Sequence, residues 1–362
     1  MNLIATRRLS AQRLLGEPFD SVTEAVGRLG AVQSQDYAGA KWALAQRTRG
    51  VRDADLDRAF DAGALLRTHV LRPTWHFVLP ADIRWLLELT GPRVKARLAL
   101  YDGRLEVDAA LIRRCESVFE AALRDGASLT RTGLSAALET AGISAASQRL
   151  GHLVMHAELD GVIASGPRRG KQFTYALLEE RAAGARRLQR EEALAELAVR
   201  YFSGHGPAQV EDCAWWSGLT MADVRRGLNL AGPALAREEF GGKPYWSSPD
   251  APVADLRGPI VHLLPNYDEY LVAYRDRSAA LDPARGFDLA PFPNGSILAH
   301  ALLLNGQIWG GWKRRLGSRT AAVELGALDV MTAAEAEAIG PAADRFGHFL
   351  GLPVTVTRSP SG

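Results

Sequence analysis

Two glutamines stand one residue apart where an apolar stretch of the sequence ends. The stretch LGAVQSQDYAGAKWALAQR, residues 29–47, places Gln33 and Gln35 on either side of Ser34. A glutamine amide accepts hydrogen bonds through oxygen and donates them through nitrogen, but it is not a general base at neutral pH. Such a pair can position a water molecule and stabilise a developing positive charge. The competing interpretation is two solvated residues at the end of a helix.

The backbone must be extended if both amides are to reach one site. Residues two apart on a helix point in different directions, whereas in an extended segment they share a face. Gly39 and the change to polar composition after Val32 allow a helix to end before the pair, so we expect residues 33–35 to be extended or turn-like. Asp36, which follows at once, is either a true base or the cap of the next turn, where Asp is common.

The composition excludes several classes of protein. The chain has 362 residues and is 47% hydrophobic, which is enough for a large core and for two or more structural units. No apolar run approaches the roughly 18 residues of a membrane-spanning helix, and the N-terminus lacks the apolar block of a secretory signal. The two cysteines, Cys115 and Cys213, are too few for a disulfide framework or a thiolate zinc site. These features predict a cytoplasmic protein.

Arginine dominates the positive charge. The net charge of +2 excludes a globally basic nucleic-acid coat, but it allows local patches. Only five of the 43 cationic residues are lysine. Arginine suits phosphate and base-edge contacts because its planar fork bonds in pairs. A GC-rich coding sequence would produce the same bias, so clusters of arginine are more informative than the total.

One arrangement of helices and strands recurs along the chain. In residues 1–105, 106–185 and 186–257, helical periodicity is followed by two short β-rich runs around a turn. Three helices and a hairpin are the layout of a winged helix, in which the third helix faces a DNA groove. Residues 258–362 alternate more like strands, with Asn305-Gly306 as a hairpin turn. The sequence therefore predicts three winged-helix units and a β-rich C-terminal domain.

Four stretches together resemble the AlkZ/YcaQ-like DNA glycosylases, bacterial winged-helix proteins that unhook bulky alkylated purines and interstrand crosslinks. They are VQSQDY, LLRTHVLRPTWHFV, GPAQVEDCAWWSGL and LLPNYDEYLVAYRDR, in the family's order across nearly the whole chain. The resemblance implies an α+β fold with three tandem winged helices and a barrel-like C-terminal domain around a DNA channel. It also implies a monomer that acts on double-stranded DNA containing an alkylated purine. The protein is expected to be cytoplasmic and associated with the nucleoid, not with a membrane, and to need no metal or organic cofactor.

The family's catalytic Gln-aliphatic-Gln motif falls on Gln33-Ser34-Gln35, so the resemblance implies that the two glutamines are catalytic. Serine in the middle is a departure from the family pattern. The chemistry suits amides, because a purine alkylated at N7 already carries a positive charge and leaves readily. The protein then needs a placed water and polar atoms that face the sugar cation, and alignment of this kind is worth roughly a hundredfold in rate. A protein without a strong acid would spare normal bases.

The resemblance also suggests a lesion pocket and DNA contacts. Asp36, His69, Trp75 and His76 are candidates for the pocket, with an aromatic ring stacking on a base. The alternative is a packed hairpin whose alternate residues face the core, and the turn GPRRGK is either a basic wing on DNA or a solvated turn. Tryptophans Trp309 and Trp312 are predicted to pack in the core. The candidate DNA contacts are Arg149, Arg168, Arg169, Lys171, Lys313, Arg314, Arg315 and Arg319.

Other polar groups have structural interpretations. His152 and His156 are four apart on a helix, but there is no zincin glutamate or evident third ligand, so buried histidines are favoured over a metal site. Asn266, Asp268 and Glu269 are expected to make structural hydrogen bonds at a domain junction. Two non-enzymatic functions stay open: a DNA-binding regulator with the same scaffold, and a protein that sequesters a genotoxic small molecule.

Overall fold

The computed structural model describes residues 2–146, 148–251, 254–282, 296, 298–327 and 331–358. Helices and strands are mixed along the whole chain, which confirms the α+β class. None of the helices in these residues is long and apolar enough to cross a membrane. The three segments before residue 258 each contain helices followed by a hairpin, as the sequence predicted.

The first segment forms a small sheet beside its helices. Ser21 caps the second helix by accepting from the N–H of Glu24, and the Glu24 carboxylate accepts from the N–H of Asp20, the residue before the cap. The sheet has the order β1-β3-β2. The elements are α1 Leu3–Ala11, α2 Val22–Leu29, β1 Val32–Gln33, α3 Tyr37–Ala45, α4 Asp53–Asp61, β2 Leu66–His69, β3 Trp75–Val78 and α5 Ile83–Arg104.

The second and third segments repeat the pattern of three helices and a hairpin. The second adds a short strand to its hairpin, in the order β4-β6-β5. Its elements are α6 Ala109–Leu123, β4 Leu129–Thr130, α7 Arg131–Thr140, α8 Gln148–Leu159, β5 Ile163–Arg169, β6 Gln172–Leu177 and α9 Leu178–Arg181. The third contains α10 Arg190–His205, α11 Val210–Ser217, α12 Met221–Ala231, β7 Ala236–Phe240 and β8 Lys243–Ser247.

The C-terminal segment contains an open five-stranded sheet, so the expectation of a barrel-like domain is wrong. The strand order is β13-β12-β11-β10-β9, and the outer strands β13 and β9 do not pair within the described residues. After the last helix the chain adds β13 parallel to β12, which extends the sheet and does not close it. The elements are β9 Val261–Leu264, α13 Glu269–Val272, β10 Ala301–Leu304, β11 Gln307–Leu316, β12 Ala321–Ala327, α14 Ala333–Glu337, α15 Ile339–Leu350 and β13 Val354–Arg358.

The C-terminal sheet packs directly on the first segment. The Trp42 indole of α3 donates to the Leu263 carbonyl at 2.6 Å and lies against Phe346 of α15. Arg47 and Asp268 form a buried ion pair, with nitrogen–oxygen distances of 2.6 and 3.0 Å. Because Asp268 also caps α13, this pair fixes the start of α13 beside the first segment. Trp309 and Trp312 are buried, as predicted.

Candidate active site

Gln33 is the last residue of strand β1 and Gln35 lies in the bend that follows, in agreement with the expected extended or turn-like conformation. Helix α2 ends at Leu29, and Gly30 adopts a φ of 79°, in the region that favours glycine. Gln33 then pairs with His76 across β1 and β3, and the N–H of Ser34 donates to the Trp75 carbonyl at 2.7 Å. The segment thus runs along the edge of the sheet before α3 begins.

Both amides are held by donors from the β2–β3 connection and from Trp75, the first residue of β3. Arg72 Nη2 donates to Gln33 Oε1 at 2.8 Å, and the backbone N–H of Trp75 donates to Gln35 Oε1 at 3.3 Å. Arginine and the backbone N–H are donors only, so these contacts determine which end of each amide faces the protein. Each carbonyl oxygen retains a second lone pair, and each nitrogen retains its hydrogens. Gln33 is buried and Gln35 is exposed, so the pair spans the boundary between the interior and solvent.

The buried carboxylate of Glu269 accepts a hydrogen bond from the backbone of Gln33. Glu269 Oε1 accepts from the backbone N–H of Gln33 at 2.7 Å, and its other oxygen accepts from the Trp216 indole at 2.9 Å. His205 Nε2 lies 3.5 Å from that second oxygen. Burial acts to raise the pKa of Glu269, but His205 and the Gln33 N–H together hold it below its ordinary value. The Glu269 carboxylate bonded to the motif is therefore ionised at neutral pH.

Glu269 was predicted to be structural, and its contact with the motif was not foreseen. Asn266 and Asp268, which were predicted to be structural together with Glu269, do make contacts at the junction. Asp268 binds Arg47, and Asn266 Nδ2 donates to Asp36 at 3.3 Å. Glu269, however, reaches the backbone of Gln33 across 236 positions of sequence. No spacing rule in the sequence connects positions so far apart.

The middle residue of the motif faces the interior. Ser34 is fully buried, and its Oγ has no hydrogen-bond partner among the described residues. Its carbonyl accepts from Arg67 Nε at 3.1 Å, so the backbone is held although the hydroxyl is not. Burying an unpaired hydroxyl costs on the order of 1–3 kcal/mol. An apolar residue would suit this position better.

Replacing Ser34 by alanine is expected to stabilise the protein by about 1 kcal/mol, because it removes the unpaired hydroxyl and leaves the backbone bond from Arg67 in place. The measurement is the shift in the urea midpoint of unfolding. Ser165→Ala is the matched control, since Ser165 Oγ is buried but accepts from the N–H of Arg67 at 2.8 Å and its loss should destabilise. A lower midpoint for Ser34→Ala would show that its hydroxyl is bonded in solution.

The predicted pocket residues divide into two groups. His76 is fully buried, its Nδ1 lies 2.9 Å from the Thr74 carbonyl, and burial, with the nearby Arg72, lowers its pKa to about 3. Asp36 caps α3 by accepting from the Gly39 N–H at 3.0 Å, the second of its two predicted functions. His69 and Trp75, whose ring centroids are 4.3 Å apart, line a cavity of about 340 Å³. Only these last two are placed to contact a bound group there.

The residues predicted to contact DNA differ in whether their side chains already bond to other groups of the protein. Arg168 forms ion pairs with Asp57 at 3.0 Å and with Asp61 at 3.4 Å, and its contact with phosphate stays a prediction. Arg169 donates to the Ser128 carbonyl at 2.6 Å, and Arg149 donates to the Glu106 carbonyl at 3.0 Å. Arg314 is mostly buried, 4.0 Å from Asp36, and Arg315 lies 3.7 Å from Glu324 although 84% exposed. Three are exposed, with no bond described here: Lys171, Lys313 and Arg319.

The two helix histidines share one carboxylate. His152 Nδ1 and His156 Nε2 each lie 2.9 Å from an oxygen of Asp102. Among the residues described, no group of three or more His, Cys, Asp or Glu side chains is arranged to hold a metal ion. The pair thus fastens α8 to the end of α5.

Comparison with known proteins assigns the family. The model of the AlkZ-like DNA glycosylases matches residues 26–349, which include both glutamines and Glu269. The chain belongs to the AlkZ-like DNA glycosylase family. A relative from Streptomyces sahachiroi, the interstrand DNA cross-link repair glycosylase, is 25% identical over 285 residues, 73% of this chain and 75% of that protein.

The solved structure of the Streptomyces sahachiroi DNA glycosylase AlkZ has the same fold. It is 20% identical, the match covers 98% of both chains, and the TM-score is 0.77. Membership makes this AlkZ-like protein an enzyme, a DNA glycosylase, and so removes the regulator and the sequestering protein as leading interpretations. The two glutamines, with their described supports, are its candidate catalytic element.

Proposed function

We propose that this AlkZ-like glycosylase hydrolyses the N-glycosidic bond of N7-alkylated purines in double-stranded DNA and unhooks interstrand crosslinks. Gln33 and Gln35 are the proposed catalytic residues, acting without a metal or organic cofactor. The observation that carries this proposal is the common anchoring of both amides by the β2–β3 connection and the first residue of β3. The name of the Streptomyces sahachiroi relative supports the crosslink activity.

The arrangement suits a leaving group that is already charged. An N7-alkylated purine departs as a neutral base, so the sugar cation and the attacking water are what remain to be stabilised. The second lone pair of each amide oxygen accepts from water or faces the cation. The ionised Glu269, which accepts from the backbone N–H of Gln33 at the edge of the sheet, adds a negative charge close to the motif. An unmodified base, which needs an acid to leave, gains little from this site.

DNA is proposed to run along segments 1–105, 106–185 and 186–257, each as a winged-helix unit, with 258–362 completing the channel. The repeated order of helices and hairpin supports this division. Exposed cations on two different hairpins, at Lys171 between β5 and β6 and at Lys313 on β11, are suited to phosphate contacts. We propose a monomer that works at the nucleoid, either in general repair or in resistance to a self-made genotoxin.

The first experiment is release of free base from duplex DNA that has been methylated at guanine N7. We expect the protein to release 7-methylguanine in the presence of EDTA and to release no guanine from undamaged DNA of the same sequence. A second duplex, crosslinked between guanine N7 atoms, is expected to yield separable strands after abasic-site cleavage. Absence of release from both substrates would contradict the proposal, and release only from the crosslink would restrict it to bulkier lesions.

A further inference from the structure

Two adjoining cavities open beside the candidate catalytic segment. One has a volume of about 360 Å³ and the other about 340 Å³, and both are lined by Trp75, Arg131 and Tyr175. Each is in the size range of pockets for drug-sized molecules. Their walls come from the first segment, at β2 and β3, and from the second, at α7, α8 and β6. We refer to the two together as the Trp75 cleft.

The walls combine aromatic rings with positive charge. The Arg67 guanidinium lies 4.3 Å from the ring centre of Trp75 and 4.6 Å from that of Phe173, and burial lowers its pKa to about 10, so it stays charged. Arg131 lines both cavities, and the exposed Lys171 lines the larger one. None of the lining residues, all of them in the described part of the chain, is acidic. Glu158 and Asp102 are bonded to the lining histidines His69 and His152 of the smaller cavity, so the positive part of the aromatic cleft is the larger cavity, beside Arg67 and Lys171.

The cleft is joined to the glutamine segment through its own wall residues. Trp75 donates its backbone N–H to Gln35 and accepts at its carbonyl from Ser34. The Arg67 side chain, which forms the cleft wall, also donates to the Ser34 carbonyl at 3.1 Å. Two residues of the cleft wall, Trp75 and Arg67, are therefore bonded directly to the segment that carries the two amides.

We propose that the Trp75 cleft binds a planar aromatic, uncharged or anionic substituent of the DNA adduct, and not the alkylated base itself. This inference rests on the proposed function. An N7-alkylated purine is a cation, so the charged Arg67 and the exposed Lys171 of the larger cavity repel it. The same wall attracts a carboxylated or electron-rich ring, which stacks on Trp75 and on the guanidinium plane. In this arrangement the glycosidic bond lies beside the two glutamines, and the bulky substituent of the adduct lies outside the DNA duplex, in the cleft.

The charge preference can be measured without DNA or catalysis. Pyrene-1-carboxylate and pyrene-1-methylamine share one ring system and differ in the sign of their charge. We expect the full-length protein to bind the carboxylate about tenfold more tightly than the amine, by fluorescence titration at pH 7. Trp75→Ala should weaken carboxylate binding about tenfold, and Lys171→Gln about threefold. Lys243→Gln removes the same charge from an exposed position on β8 and should leave binding unchanged.

Equal binding of the two probes, or carboxylate binding unaffected by Lys171→Gln and Trp75→Ala, would overturn the assignment. Because Lys171 is exposed, its variant tests the cleft even if Trp75→Ala folds poorly. A second arm compares release of an aflatoxin–N7-guanine adduct, which carries a flat uncharged substituent, with release of 7-methylguanine. Trp75→Ala should lower the first rate about tenfold more than the second. If the wild type releases neither base, the proposed function fails, and the probe titration still decides the cleft.

Discussion

Replacing Gln33 and Gln35 together by alanine is expected to lower the single-turnover rate of 7-methylguanine release about a hundredfold, and each single replacement at least about tenfold. The reason is geometric: Arg72 and the Trp75 N–H hold both amide oxygens on the side of the β2–β3 connection. Alanine keeps the extended backbone, the pairing with β3 and the bond from Gln33 N–H to Glu269. A lower release rate would therefore measure the contribution of the two side-chain amides.

The control for this pair is Gln307→Ala, which removes the same amide from the start of β11. The Gln307 side chain donates to the Leu281 carbonyl at 3.2 Å and has no contact with the glutamine segment. We expect its release rate to match the wild type, and duplex DNA binding to be within about threefold of wild type for all variants. An active wild type with unchanged Gln33 and Gln35 variants would mean that the pair is only the polar end of a strand.

Short-range features of this site could be predicted from the sequence because their causes are local. Asp36 caps α3 through a bond to a residue three positions away, and the cap of α2 by Ser21, which accepts from Glu24, has the same range. The expectation that residues 33–35 are extended or turn-like followed from the requirement that two amides share a face. Trp309 and Trp312 are both buried although they are three positions apart, because a β-bulge between β10 and β11 falls at Trp309 and offsets the alternation of faces.

Long-range contacts could not be predicted from the sequence. Arg168 was assigned to DNA from its place in a basic turn, but Asp57 and Asp61 of α4, over a hundred positions earlier in the sequence, bind it. The C-terminal segment was expected to be β-rich because its strands alternate, and barrel-like because the family resemblance implied it. Alternation indicates that a sheet has a covered face, but it does not indicate whether the outer strands meet. The ion pairs of Arg168 and the unpaired outer strands of the described sheet both depend on contacts that only the folded chain brings together.

Replacing Glu269 by glutamine is expected to lower stability by about 2 kcal/mol at neutral pH and the release rate by at least about tenfold. Its two oxygens accept from the Gln33 N–H and the Trp216 indole, and a glutamine can offer an acceptor to only one of these donors. The other donor is left buried without a partner, or the strand shifts to find one. Either result displaces Gln33 relative to Arg72, so kcat should fall while KM changes by less than about threefold.

The pH dependence of stability distinguishes a charged Glu269 from a protonated one. Its folded pKa lies below the ordinary value of 4.5, so its ionised form stabilises the protein above that pH, and the contribution is lost as the pH falls through the folded pKa. The difference in urea midpoint between wild type and Glu269→Gln should therefore be largest near pH 7 and shrink below about pH 4.5.

Asp212→Asn supplies the comparison for a buried carboxylate away from the motif. Asp212 accepts from the backbone of Arg275, Asp276 and Gln209, and burial raises its pKa despite these bonds and Arg8. We expect this variant to lose stability as well, but to retain the wild-type release rate per folded molecule. If both variants lost activity in proportion to stability alone, Glu269 would be a part of the core with no influence on Gln33. If only Glu269→Gln slowed release, the buried carboxylate of Glu269 would be the group that holds Gln33 in position to bond with Arg72.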